Sequence, residues 1–120
     1  MKFYIASRTA RATEVQRFRA ALEELGHEVY DWTMFASIKR PYEETEVAPI
    51  ALAELQAIEN VDVFILLGDE GGTGMYVELG YALATGAKVY CVGNHNDVTV
   101  FQYIPQVIRV QSFDDLVKEV

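Results

Sequence analysis

Residues Val61-Asp-Val-Phe-Ile-Leu-Leu67 are apolar at every position but one. A strand of that kind has no side for water, so it belongs in a parallel sheet covered by helices on both faces. A glycine-rich stretch, Gly71-Gly-Thr-Gly74, comes soon after it, followed by the helix-like segment Met75–Thr85. Strand, glycine turn and helix N-terminus together make a ligand site: glycine lets the backbone approach closely, and the first turn of a helix offers free N–H donors. Glu78 stands about one turn into that helix, among Leu79, Tyr81, Ala82 and Leu83. An acidic residue near a helix start also serves simply to offset the helix dipole.

The rest of the chain alternates in the same way. Lys2–Ala6 reads as a first strand. Thr13-Glu-Val-Gln16 has capping-box spacing, and Val15, Phe18, Leu22 and Leu25 recur at helical intervals before Gly26. His27–Asp31 reads as a second strand, Trp32–Thr45 as a loop, and Val47 to Glu59 as a helix with Pro49 in its first turn. Lys88–Val92 and Val107–Val110 read as the last two strands, and Ser112 as the cap of a helix from Phe113 to Val120. The expected fold is α/β: one doubly wound, parallel five-stranded sheet in a flavodoxin-like, Rossmann-like three-layer sandwich filling residues 1–120 as a single domain. Ligands bind such folds beyond the carboxyl ends of the strands. The loops Ser7–Ala12, Gly68–Gly74 and Gly93–Asp97 reach that edge.

Composition narrows the partners. A net charge of −8 leaves no basic stripe for a nucleic-acid polymer. A small anionic ligand needs only one arginine and a few amides. No run of about 18 apolar residues marks a membrane span, and no signal-peptide pattern opens the chain, so a cytoplasmic location is expected. The single cysteine, Cys91, excludes an internal disulfide and sits in an apolar run as a small hydrophobe. His27 and His95 show no metal-ligand spacing.

Several chemistry-bearing residues converge on the sheet edge. Tyr4, Ser7 and Arg8 come from the first unit, Asp31 and Trp32 from the second, and Gly72, Gly74 and Glu78 from the third. Arg8 with the amides of the turn makes an anion pocket, unless it is merely a solvated loop cation. Trp32, Phe35 or Tyr42 offers a face for a nucleobase, and Trp32 equally suits the rim of the core. Glu54 and Glu78 form a carboxylate pair suited to displacement at a sugar C1′, although Glu54 also reads as an ordinary surface residue. The turn lacks both the Gly-x-Gly-x-x-Gly spacing and a following Gly-Lys-Ser/Thr, so neither a dinucleotide fingerprint nor a Walker loop is present.

Tyr4-Ile-Ala-Ser7, Asn60-Val-Asp-Val-Phe-Ile-Leu-Leu67, Gly74-Met-Tyr-Val-Glu-Leu-Gly-Tyr-Ala82 and Lys88-Val-Tyr90 resemble the nucleoside 2-deoxyribosyltransferase superfamily. The spacing is nearest to its 2′-deoxynucleoside 5′-phosphate N-hydrolase branch. The resemblance implies a doubly wound α/β domain, usually dimeric or larger, and places the nucleophile at Glu78, which would form a glycosyl-enzyme at C1′. It places Tyr4 as the residue that positions that glutamate, and Ser7 and Arg8 at the 5′-phosphate. Two features depart from the family. Glu54, eight residues before Asp62, stands where an aspartate is usual, and Gly72 stands where the transferases carry one. Thr9-Ala-Arg-Ala12 also replaces the glycines usual around the phosphate. The turn further resembles the Gly-Gly-x-Gly-Thr-x-x-Glu signature of cytokinin-activating phosphoribohydrolases, with Met75 in place of threonine.

These readings converge on cleavage or transfer at an N-glycosidic bond of a nucleoside or nucleoside 5′-monophosphate, with no metal or organic cofactor. The alternative is a non-catalytic nucleotide-binding or ligand-sensing domain of the same fold. A homodimer or larger assembly is expected, with Tyr76, Tyr81, Phe101 and Tyr103 available to bury against a partner copy.

Overall fold

In the computed structural model, which describes residues 1–120, five strands form one parallel sheet in the order β2-β1-β3-β4-β5. The strands are β1 (Lys2–Ala6), β2 (Glu28–Val29), β3 (Val63–Leu67), β4 (Lys88–Val92) and β5 (Val107–Val110). Every residue of β3 is buried, as its uninterrupted apolar character requires. The helices are α1 (Ala12–Glu24), α2 (Glu44–Glu59), α3 (Gly74–Thr85) and α4 (Phe113–Val117). Helices α2 and α3 pack together on one face. On the other face α1 meets α4 through the stacked rings of Phe18 and Phe113, 4.1 Å apart. No helix is long and apolar enough to cross a membrane.

The expected architecture is the one found, with local differences that have physical causes. β2 is two residues long rather than five, because it lies at the sheet edge and Asp31 turns aside to accept hydrogen bonds from the Thr33 amide and hydroxyl. The Thr13–Gln16 capping box is not used. A 3-10 turn over Thr9–Arg11 leads into α1, so Thr13 already lies inside the helix. Helix α2 begins three residues before the expected Val47, because the Glu43 side chain accepts from the Thr45 and Glu46 amides and starts it at Glu44. Pro49 therefore lies in the second turn rather than the first. β3 begins at Val63, since Asp62 is spent on the Lys2 amide, and α4 stops at Val117 rather than Val120. A capping box does occur where none was expected, between Thr99 and Gln102.

The order 2-1-3-4-5 places a topological switch between β1 and β3, whose carboxyl ends open side by side. Gly68, just past β3, is where the neighbouring loop closes on that edge. A side chain there would bring its Cβ to 2.2 Å from the His95 carbonyl oxygen. That carbonyl is held by the buried Gln102 amide at 3.1 Å, so it has little room to retreat. Gly68→Ala is expected to cost about 1–3 kcal/mol through overpacking. Chemical denaturation should show a lower midpoint at unchanged slope.

Candidate active site

Tyr4 is fully buried in the central strand β1, with its ring stacked against Phe64 at 5.8 Å and Tyr30 at 5.7 Å. Its position alternates away from Phe3 and Ile5, which sends the ring toward the α2–α3 side. There its hydroxyl donates a short hydrogen bond to Glu78 Oε2. Glu78 is the fifth residue of α3, so the glycine turn that launches this helix also decides where the carboxylate arrives. Glu54, in the middle of α2, reaches the same carboxylate from the side.

The electrostatics follow from burial. Desolvation pushes Glu78 up to about 8, the Glu54 charge and a shared hydrogen bond add to the rise, and the Tyr4 hydroxyl opposes it. Burial also raises Glu54, while its hydrogen bond with Glu78 lowers it. Two carboxylates this close cannot both ionise freely, so the pair retains a proton well above the ordinary carboxylate range. Burial, reinforced by both glutamate charges, holds the Tyr4 phenol far above its usual value. Tyr4 is therefore a fixed donor at all working pH.

A cavity of about 750 Å³ opens in front of the pair. Ser7, Arg8, Trp32, Glu54, Gly72, Gly74 and Glu78 all line it. Ser7 is buried and donates to the Arg8 carbonyl at 2.8 Å. Arg8 lies across the glycine turn, 3.8 Å from Asp69 Oδ1. A Cβ on Gly71 would meet its guanidinium carbon at 3.0 Å, and one on Gly72 its Cγ at 2.9 Å. Gly72 also sits at φ 89°, where side chains are strained. Thr73 provides no side-chain cap, so the start of α3 keeps donors directed at the cavity wall.

Trp32 lies at the rim of the core, as one of its two readings expects. It is buried in the core and donates its indole N–H to the Ile5 carbonyl at 2.6 Å, yet it forms part of the cavity wall. Tyr42 lines the cavity as well, whereas Phe35 does not. Asp31 also stands apart from it, bound to Gln16, Thr33 and Arg19. Although burial pushes Asp31 up, the hydrogen bonds from Thr33 and Gln16 and the Arg19 charge bring it below its ordinary value. These bonds fix the loop after β2.

Sequence reasoning passed over Arg11 and Tyr30. Arg11 donates to the Gly68 carbonyl at 3.1 Å and lies 3.8 Å from Asp69, which braces the turn from below. Its spacing to Glu14, an i,i+3 ion pair at 2.7 Å, was the available signal. No group of three or more His, Cys, Asp or Glu residues comes together to hold a metal.

No protein-family model matches the sequence, and no curated protein matches it. Among solved structures, the chain is similar to the CMP N-glycosidase BcmB of Clostridium botulinum, with a TM-score of 0.72, 16% identity and full coverage of both chains. It is also similar to a conserved protein from Enterococcus faecalis V583, with a TM-score of 0.66 and 21% identity over 99% of this chain and 96% of that one. These likenesses establish a shared fold from end to end.

The raised Glu78 has a consequence for stability. Between its unfolded value of 4.5 and about 8, the folded protein binds a proton that the unfolded chain has released, so stability falls as pH rises through that window. Glu78→Gln removes the proton uptake. It should raise the melting midpoint by roughly 10 °C or more at pH 8 and by much less at pH 5. Equal shifts at both pH values in scanning calorimetry would contradict the assignment.

Proposed function

We propose that this protein, on a fold shared with a CMP N-glycosidase, cleaves the N-glycosidic bond of a nucleotide through Glu78, as a hydrolase of the nucleoside 2-deoxyribosyltransferase type. The observation that carries the reading is the buried Glu78 carboxylate, hydrogen-bonded to Tyr4, paired with Glu54, and facing a cavity at the switch between β1 and β3. One proton on a carboxylate pair is the state that glycosidic chemistry needs. The resting proton, which burial favours on Glu78, passes across the shared hydrogen bond to Glu54, and the ionised Glu78 then attacks C1′ and forms an ester. Glu54 gives its proton to the departing base as the C–N bond breaks. Water then attacks C1′, Glu54 takes up its proton, and the sugar leaves with Glu78 restored.

Tyr4 donates to the Glu78 oxygen that does not attack, so it orients the nucleophile and stabilises its charge. Ser7, Arg8 and the start of α3 hold the 5′-phosphate, while Trp32 borders the base. No step calls for a metal or an organic cofactor. Cytidine 5′-monophosphate is the first substrate to assay, since the fold neighbour acts on it.

Free-base release across nucleosides and nucleoside monophosphates tests the reading. The rate should follow a bell-shaped pH dependence, because the active pair carries one proton. Glu78→Ala should lose at least about a thousandfold in kcat while still binding nucleotide. Glu54→Gln should lose the alkaline limb of the profile. If the wild-type protein binds nucleotides but releases no base from any of them, the non-catalytic alternative holds.

The assembly we propose is a homodimer through the α2–α3 face. Leu52 and Val77 are each 67% exposed on these helices and would be covered by a partner copy. Tyr76 and Tyr81 pack against the core and spend their hydroxyls on the Asp69 carbonyl and Glu59, so they contribute less to such an interface than sequence reasoning expected. Phe101 and Tyr103 are exposed at another edge. Light scattering should give twice the chain mass, and Leu52→Glu should return it to the monomer. A monomeric wild type would overturn the assembly.

A further inference from the structure

A second cavity, of about 880 Å³, adjoins the first and shares Thr9, Arg40 and Tyr42 with it. Its lining also includes Ser37 and Lys39 but no Asp or Glu. That is unusual in a chain of net charge −8, where carboxylates outnumber cations by 18 to 10. Two cations and three hydroxyls without a carboxylate are the chemistry of an anion receptor.

The state of the cations sharpens the point. Arg8 and Arg11 are both engaged with Asp69, and Arg19 with Glu23 and Asp31. Lys39 and Arg40 are, like most cations of the chain, without a carboxylate within 4.0 Å, but they are the two that line this cavity. Arg40 stands on the shared wall. An anion in the second cavity would therefore belong to the same ligand whose sugar faces Glu78.

We propose that the second cavity is a subsite for a further phosphate, so that the preferred ligand is a nucleoside 5′-diphosphate rather than a monophosphate. The inference rests on the nucleotide reading above and extends it along the 5′ side. Arg8 and the glycine turn take the first phosphate, Arg40 stands at the junction, and Lys39 with the Ser37 and Thr9 hydroxyls takes the second. A strongly hydrated diphosphate needs cationic partners of this kind to replace its water.

Calorimetric titration of the Glu78→Gln protein, which holds nucleotides without turnover, provides the test. The probes are 5′-mono- and diphosphates of the four common nucleosides. The diphosphate should bind at least about tenfold more tightly than the matching monophosphate, as one added charge-assisted contact implies. Lys39→Ala in the same background should bring that ratio toward one, with monophosphate binding reporting that the fold is intact. Equal affinity for the two ligands overturns the subsite, and so does a Lys39→Ala variant that keeps the ratio. Base release from monophosphates without a diphosphate preference removes the subsite and leaves the glycosidase standing. A diphosphate preference that depends on Lys39, in a wild type that releases no base, does the reverse.

Discussion

The hydrogen bond from the Tyr4 hydroxyl to Glu78 joins the central strand β1 to helix α3, and the candidate site is arranged around it. Tyr4 cannot move, because β1 pairs on both sides and its ring is stacked between Tyr30 and Phe64. Its hydroxyl is thus a fixed point, 0% exposed, and the flexible partner is the glutamate. An ionised carboxylate taken out of water needs compensation of this kind. One donor is less than a buried carboxylate requires, and the residual deficit appears as the proton shared with Glu54. A site left unsatisfied when empty can gain from the charge that develops on a bound sugar, which is how preorganised electrostatics favours a transition state.

The glycine turn has a more specific task than general flexibility. Arg8 lies against Gly71 and Gly72, and side chains there would displace it. Asp69 holds the same arginine, receives the Gly71 amide at 3.5 Å, and has its own carbonyl pinned by the Tyr76 hydroxyl at 2.6 Å. Arg11 ties the preceding Gly68 carbonyl to α1. The first and third βα loops therefore form one hydrogen-bonded unit. The aspartate that the transferases carry would fall at Gly72 and bring a side chain into the space occupied by Arg8. An aspartate at that position and the present placement of Arg8 would exclude each other sterically.

Much of this was legible in the residues. The apolar run ending at Leu67 announced a doubly covered central strand, and the Glu-Leu-Gly segment placed Glu78 one turn into a helix at the sheet edge. What escaped was set by side chains competing for backbone groups. Glu43 starts α2 early, Asp31 ends β2 early, and Thr13 loses its capping role to a 3-10 turn, all through local bonds that hydrophobic periodicity does not encode. Glu54 was ambiguous for a related reason. Helix α2 carries apolar residues around much of its circumference, so its sequence does not tell which side faces the sheet. Only the packing of α2 against α3 decides that Glu54 turns inward.

Charge placement reconciles an acidic chain with the anionic ligand proposed above. Four of the ten cations, Arg8, Arg11, Lys39 and Arg40, come from two short stretches, in the loops that follow β1 and β2. Acidic residues dominate elsewhere, including the starts of α2 and α4. Cations gathered in a cleft of an otherwise acidic surface leave polyanions repelled as a whole while favouring a small anion in the cleft, an effect that focusing strengthens. The carboxylate pair behind that mouth would repel a phosphate, so a nucleotide of the kind proposed would enter with its anionic end outward and its sugar toward Glu78. Orientation follows from the field before any specific contact with the base is made.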